Sequence, residues 1–316
     1  MPKVSIIVPV YNAQDTLAAC LGNLVHQTLE EIELILVNDA STDRSLQILM
    51  DCEQTYPDKV ILVNLEENRG PGGARNVGLQ YASGEYIGFV DSDDIADISM
   101  YEKLYTTALQ NDYDMVDGAY FNECNDTLML QTEEDCTGTL DARKRCQLIS
   151  GGGYLWSRIF RKELFDGIYF RENTILEDME TMMLLFMRTQ KLGTIQDVIY
   201  KYCCYPESAS KLSNPNKYHK AVTDAMKAVH TSLYCQTEYS EIQTAVEYSI
   251  LHLYLCGIVN TIHPNNNLPA LQKNVYLKEL KELRFQFVKL PYSDNPYIKQ
   301  KFSPQDYQLM LETDKI

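Results

Sequence analysis

The chain has 316 residues, 45% of them hydrophobic and 23% charged, with a formal net charge of −16. That is enough apolar material for a packed core in roughly two domains, which excludes a disordered chain. The acidity excludes a non-specific nucleic-acid binder, whose footprint is a basic face. The excess acid is uneven: the net charge is −11 over residues 1–100, −7 over 101–200 and +2 over 201–316.

Strand and helix signals alternate over the first hundred residues. Val4–Pro9 is a short continuous apolar run, the pattern of a strand buried on both faces. Asp15–His26 reads as a helix, Ile32–Asn38 as a second strand, Asp43–Cys52 as a helix and Val60–Leu65 as a third strand. Gly72–Ala82 follows as a helix and Tyr86–Val90 as a fourth strand. The alternation predicts an α/β fold with a mainly parallel sheet flanked by helices, and ligands at the carboxyl ends of its strands. Those ends carry Pro9–Asn12, Asn38-Asp39, Glu66–Gly73 and Asp91–Asp94.

Residues 113–200 are mixed. Tyr113–Asn122 and Thr127–Gln131 read as strands and Ala142–Ile149 as a helix. Gly151–Gly153 reads as a loop leading into Tyr154–Phe160. Glu177–Thr189 reads as a helix and Val198–Cys204 as a final strand. After Pro206 the pattern is helical: Asn216–Tyr234, Glu241–Ile262, Ala270–Val288 and Pro304–Leu311, with a break at Asn265-Asn266-Asn267 and Pro269.

The nine cysteines form no CxxC, so neither a zinc site nor a disulfide framework is signalled, and free thiols in a reducing cytoplasm are expected. The N-terminal run is too short and polar for a signal peptide. The most apolar window, Val246–Ile262, contains Glu247, His252 and Asn260 and reads as a buried helix. Tyr276, Leu280, Leu283, Phe287 and Leu290 recur at helical spacing among Lys273, Lys278, Lys281, Arg284 and Lys289. That stripe suits a helix resting on a membrane with a lipid-linked acceptor. It suits better a helix packed on the body or on a second subunit.

Four features carry chemistry. Asp91-Ser92-Asp93-Asp94 places three carboxylates directly after a strand, where mutual repulsion calls for a cation. Hard oxygen ligands suit Mn2+ or Mg2+, and the alternative is a helix cap with an acidic first turn, through Asp94 or Asp97. Asp39 ends the second strand and can accept from a ligand N–H such as the imide of uracil, or cap the next helix. Gly70-Pro71-Gly72 opens a helix with Arg75 one turn in, which suits a diphosphate or is a plain loop with a surface arginine. Glu177-Asp178 starts a helix, where one carboxylate can act as general base or both can complement the dipole. A fifth candidate is Trp156, the only tryptophan, with Arg158 nearby: a sugar platform and a phosphate contact, or a core anchor and a basic turn.

Together these segments resemble the family 2 glycosyltransferases of GT-A fold. The resemblance rests on Ser5–Asn12, Asn38–Asp43, Gly73–Gly78, Gly84–Ile87 leading into Asp91–Asp94, Trp156–Phe160 and Glu177-Asp178. It covers about residues 3–210. It implies a glycosyltransferase domain over 1–210, with a nucleotide-sugar half at 1–100 and an acceptor half at 101–210, and a helical region over 211–316. It implies that Pro9, Val10, Tyr11 and Asp39 hold base and ribose, with Arg75, Asp91 and Ser92 also on the donor. Asp93 would ligate the metal, with Asp91 assisting from the ribose or the water shell. Asp178 would be the catalytic base, with Glu177 as its substitute, and Trp156 and Arg158 would lie on the acceptor side. The implied reaction is inverting, metal-dependent transfer of a hexosyl or N-acetylhexosaminyl group from a UDP-sugar to a saccharide or lipid-linked saccharide. The setting would be bacterial-type polysaccharide synthesis in the cytoplasm or at the inner membrane face. A homo-oligomer through the C-terminal helices is a further expectation. A sugar nucleotidyltransferase and a degenerate sugar-nucleotide-binding module are the competing readings.

Overall fold

The computed structural model describes residues 2–205, 214–264 and 266–315. The expected domain boundary at 210, Pro206 and Asn265 of the asparagine break lie outside the described residues. The chain starts with β1 (Val4–Val10), α1 (Leu17–Val25), β2 (Ile32–Asn38), α2 (Ser45–Thr55), β3 (Val60–Asn64), α3 (Gly70–Tyr81) and β4 (Tyr86–Phe89). It continues with β5 (Ile95–Ala96), α4 (Met100–Asn111), β6 (Met115–Asn122), β7 (Thr127–Met129), β8 (Gly138–Thr139), α5 (Ala142–Gly151) and β9 (Arg158–Arg161). Then follow α6 (Glu177–Arg188), β10 (Lys191–Tyr202), α7 (Pro215–Tyr234), α8 (Tyr239–Ile262), α9 (Ala270–Phe287), α10 (Pro296–Lys301) and α11 (Pro304–Thr313).

The sheet runs β3-β2-β1-β4-β9-β6-β10-β5, with β7 on β6 and β8 on β10. β1 to β4 are parallel, as expected from their unbroken apolar runs. Beyond β4 the sheet is mixed: β9 is antiparallel to both neighbours, while β6 and β10 are parallel. The register sets Val10 beside Asn38 and Asn38 beside Asn64, so three strands end together at one edge.

Described separately, one compact unit holds the sheet: residues 2–140, Tyr154–Thr181 and 187–205. The other holds Asp141–Gly153, Met182–Phe186 and residues from 214 on. In the second unit α8 packs against α5, α7 and α9. α8 is long and apolar enough to cross a membrane by length and composition, and 72% of its apolar window is buried inside the structure. Glu247, fully buried on α8, accepts from Leu290 N at 2.9 Å and Gln243 Nε2 at 2.7 Å. The α9 stripe also turns inward: Leu280, Leu283 and Phe287 are buried, and Tyr276 stacks on His219. Packing within the helical unit therefore uses the stripe that suggested a membrane surface.

One expectation needs correction. Cys124 and Cys204 form a disulfide with a Cα–Cα distance of 5.1 Å, tying the chain after β6 to the chain after β10. Cys20, Cys52, Cys146, Cys203, Cys235 and Cys256 are free thiols. After the glycine loop, β9 starts at Arg158, because Ser157 takes a left-handed φ of 57° that breaks extended backbone.

Candidate active site

The first two strand ends are laced together. Asn12 has a left-handed φ of 49°, its amide donates to Ser41 Oγ at 3.1 Å, and its side chain accepts from Thr42 N at 2.8 Å. Ala40, with φ 55°, bends the opposite turn. Holding alanine there costs of order 1–3 kcal/mol, a strain typical of ligand-binding turns. This lacing presents Pro9 and Tyr11 at the strand end, Tyr11 with its ring half exposed, while the Val10 side chain is fully buried in the core. Asp39 is buried, and its Oδ1 accepts from Arg69 N at 2.7 Å. Burial raises its carboxyl, opposed by hydrogen bonds from the Arg69 and Gly70 amides. Asp39 does not cap the next helix, since Asp43 accepts from Ser45 N at the start of α2; its carboxylate instead takes the backbone amides that open α3.

The glycine-rich opening of α3 serves close approach. Gly70 has φ 73°, and a Cβ on Gly72 would run into the Arg171 carbonyl. The segment before α6 thus lies directly against α3. Arg69 pairs with Glu172, Asn173 N donates to Arg69 O at 2.8 Å, and Asn76 exchanges two 2.9 Å hydrogen bonds with the Phe170 backbone. Arg75 is only 6% exposed. Its Nη2 pairs with Asp91 Oδ1 at 2.9 Å and its Nη1 with Glu177, while its buried Nε has no hydrogen-bond partner. Burial works against its charge, but Asp91, Glu177 and Asp178 outweigh it and hold the guanidinium above its ordinary range. A surface-arginine role does not fit a side chain this deeply enclosed.

The three carboxylates after β4 divide. Asp94 is 1% exposed and turns to β10: it accepts from Tyr200 Oη at 2.8 Å and Cys203 N at 2.8 Å. Tyr200 Oη also accepts from Asp91 N at 3.3 Å, and Thr16 donates to Ser92 O at 3.1 Å. Asp97, not this trio, braces the start of α4 by accepting from Ser99 N at 2.9 Å. Asp93 remains for a ligand, with Asp91 beside it already paired to Arg75. Burial and the neighbouring Asp91 push the Asp93 carboxyl up to about 6, with no cationic group among the causes acting on it. Among the described residues no three His, Cys, Asp or Glu side chains form a complete metal shell. Two carboxylates are nevertheless the donor set that suits Mn2+ or Mg2+ when a diphosphate supplies further oxygens.

α6 begins under strain, with Leu176 at φ 65° just before Glu177. Arg171 secures this entry by donating to Leu176 O at 2.9 Å and pairing with Glu180. Glu177 is committed to Arg75. Asp178 is the carboxylate left over, raised well above its usual range by burial and by Glu177, with Arg75 opposing.

Trp156 and Arg158 lie deeper than an acceptor contact requires. Arg158 is fully buried on β9 and faces Asp117 at 3.5 Å, so it meets a carboxylate within the sheet and not a phosphate. Trp156 is 5% exposed, sandwiched between Tyr154 at 4.5 Å and Tyr200 at 4.8 Å. Sequence reasoning missed Tyr154, Tyr200, Asn76 and the Arg69–Glu172 pair. The run Ala74-Arg75-Asn76 carried a signal for Asn76; Tyr200 lay in a strand with nothing to single it out.

The fold, with its strand-end acids and parallel β1–β4 half, is that of the GT-A glycosyltransferases. S. aureus TarS, residues 1–349, superposes with a TM-score of 0.71 at 20% identity, covering 99% of this chain and 88% of that one. A TarS structure in complex with UDP gives 0.70. "Uncharacterized glycosyltransferase EpsJ" of Bacillus subtilis is 32% identical over 225 residues, 67% of this chain. The match spans 64% of EpsJ, a little under two thirds of its length. The "Poly(ribitol-phosphate) beta-glucosyltransferase" of Bacillus spizizenii is 41% identical over 118 residues, 37% of this chain and 19% of that one. The Glycosyl transferase family 2 profile matches residues 5–167, more than half the chain, and the chain belongs to that family.

Proposed function

We propose that the chain transfers a hexosyl or N-acetylhexosaminyl unit from a UDP-sugar to an acceptor hydroxyl, with inversion, in bacterial polysaccharide or glycoconjugate synthesis. One observation carries this reading: the Arg75 guanidinium joins Asp91, on the donor side, to Glu177, next to the base, so both halves of the reaction share one site. Donor contacts fall to Pro9, Val10, Tyr11, Asp39, Asp91 and Ser92 at the strand ends. Asp93, with Asp91, would hold the divalent cation. When bound, Mn2+ or Mg2+ supplies positive charge opposite the departing diphosphate.

Asp178 removes the proton from the acceptor hydroxyl. The acceptor oxygen bonds to the anomeric carbon as the carbon–oxygen bond to the diphosphate breaks, and the nucleoside diphosphate leaves. One base and no enzymic nucleophile are needed, so configuration inverts. Glu177 cannot easily take over while it neutralises Arg75. The division into a catalytic part over 1–210 and a helical part over 211–316 belongs to this reading, as does a cytoplasmic setting with peripheral membrane contact or self-association through the helices.

The test is a panel of nucleotide sugars with Mn2+, read as nucleoside diphosphate release by the full chain. Release from a UDP-sugar supports the proposal, and Asp93→Ala abolishes metal-dependent release. Full activity of that variant with a chelator present overturns the metal assignment. Pyrophosphate made from a nucleoside triphosphate and a sugar phosphate would identify a nucleotidyltransferase instead.

A further inference from the structure

The buried Trp156 leaves the acceptor side without its expected sugar platform, and its neighbour is better placed. Tyr154 is 46% exposed, and its ring lies on Trp156 at 4.5 Å with only 9° between the planes. Trp156 in turn lies on Tyr200 at 4.8 Å and 7°. Tyr200 is fixed by its hydroxyl to Asp94 and the Asp91 amide. Three rings therefore form a pile with its foot on the acidic loop and its outer face open. The Tyr154 phenol is raised by burial and then by the negative charge of Asp178.

We infer that Tyr154 is the acceptor platform, its open ring face taking the apolar face of a neutral pyranoside whose hydroxyl is offered to Asp178. This rests on the glycosyltransferase reading above. Stacking a sugar's C–H face on an aromatic ring needs a rigid, half-open ring, and the pile beneath Tyr154 supplies the rigidity. Charge argues for neutrality. Residues 1–200 carry a net −18. The guanidinium groups of Arg69, Arg75, Arg158 and Arg171 each already face a carboxylate. An anionic polyol-phosphate acceptor would meet repulsion from that excess charge, and these four arginines are already paired.

The experiment uses the full chain, its UDP-sugar donor and two acceptor classes: neutral alkyl pyranosides and poly(ribitol phosphate). Transfer is read with each acceptor, and acceptor-independent donor hydrolysis is read separately. Trp156, the only tryptophan, reports binding by fluorescence without any turnover. Tyr154→Ala is expected to raise the KM for neutral pyranosides about ten-fold and to abolish the Trp156 response. Donor KM and donor hydrolysis stay as in the parent protein, and Tyr154→Phe keeps the acceptor KM within about two-fold. An unchanged acceptor KM in Tyr154→Ala, or turnover of poly(ribitol phosphate) in preference to every neutral pyranoside, overturns the inference. If the variant also loses donor hydrolysis, Tyr154→Leu decides, since it keeps bulk without an aromatic face. Absence of nucleoside diphosphate release from every nucleotide sugar, with and without acceptor, would instead refute the glycosyltransferase reading, whatever Trp156 reports.

Discussion

Asp178 and Glu177 are adjacent in sequence yet placed for different work. Glu177 is held by the buried Arg75, while Asp178 keeps a carboxyl raised by burial and by Glu177. A base raised toward neutrality is better matched to a hydroxyl than an ordinary carboxylate. Only its deprotonated form accepts a proton, so turnover falls as pH drops through that raised value. The acid limb of kcat is therefore expected above the usual carboxylate range. Asp178→Asn should lower kcat by about 10²–10⁴-fold while nucleotide binding survives. Near-normal turnover would move the base to Glu177. The same substitution has a second, opposite consequence. A folded-state pKa above the unfolded value means that the fold disfavours the charged form, and the stability is lost as pH rises. Asp178→Asn is therefore expected to raise Tm at about pH 8. A lower Tm there would mean that Arg75 more than offsets burial.

Among the elements, β10 does more for the site than its sequence suggests. Through Tyr200 and the Cys203 amide it grips Asp94, and so sets the loop that offers Asp91 and Asp93. Tyr200→Phe removes one hydroxyl that serves both Asp94 and the Asp91 amide, which should cost about 1–3 kcal/mol. It should also weaken the Mn2+ dependence of nucleotide binding, measured by titration. If neither stability nor metal affinity changes, β10 is not the anchor. The elements also mark where sequence reading stops. β1, β2 and β4 were legible because strands buried on both faces leave unbroken apolar runs, β3 because its run is apolar although it lies at the sheet edge, and the acids at their ends stand out. β10 begins at Lys191, not Val198, because register shifts at Ile195–Val198 and Val198–Tyr200 break its alternation. α4 was missed although its buried face holds Met100, Tyr101, Leu104, Tyr105 and Ala108. The Glu177 and Asp178 pair was visible. The strained Leu176 that aims them was not, because its left-handed φ comes from Arg171 and the α3 packing and not from its residue type.

Across the molecule, the net charge of −16 acquires a thermodynamic meaning. In the sheet unit Asp39, Asp93, Asp94, Asp117, Asp178 and Glu180 all have raised carboxyls, with burial the first cause in each. Each binds its proton more tightly folded than unfolded. Each therefore adds stability at low pH that is lost as pH rises through its folded value. For Asp93 the window runs from the ordinary carboxylate range, near 4, to about 6. His230 and His252 have the opposite sign, since burial lowers them and stability from them grows with pH. Comparing two proteins that share both histidines removes that contribution. Between about pH 4.5 and 7, Tm of the parent protein should fall more steeply than that of Asp93→Asn. Mn2+ with a nucleoside diphosphate should raise the parent's Tm more at about pH 7.5 than at about pH 5, where a protonated Asp93 competes with the cation. Asp93→Asn should lose most of that increment. Parallel Tm profiles for the two proteins, or an equal cation increment at both pH values, would show that Asp93 is neither the titrating group nor the cation's ligand.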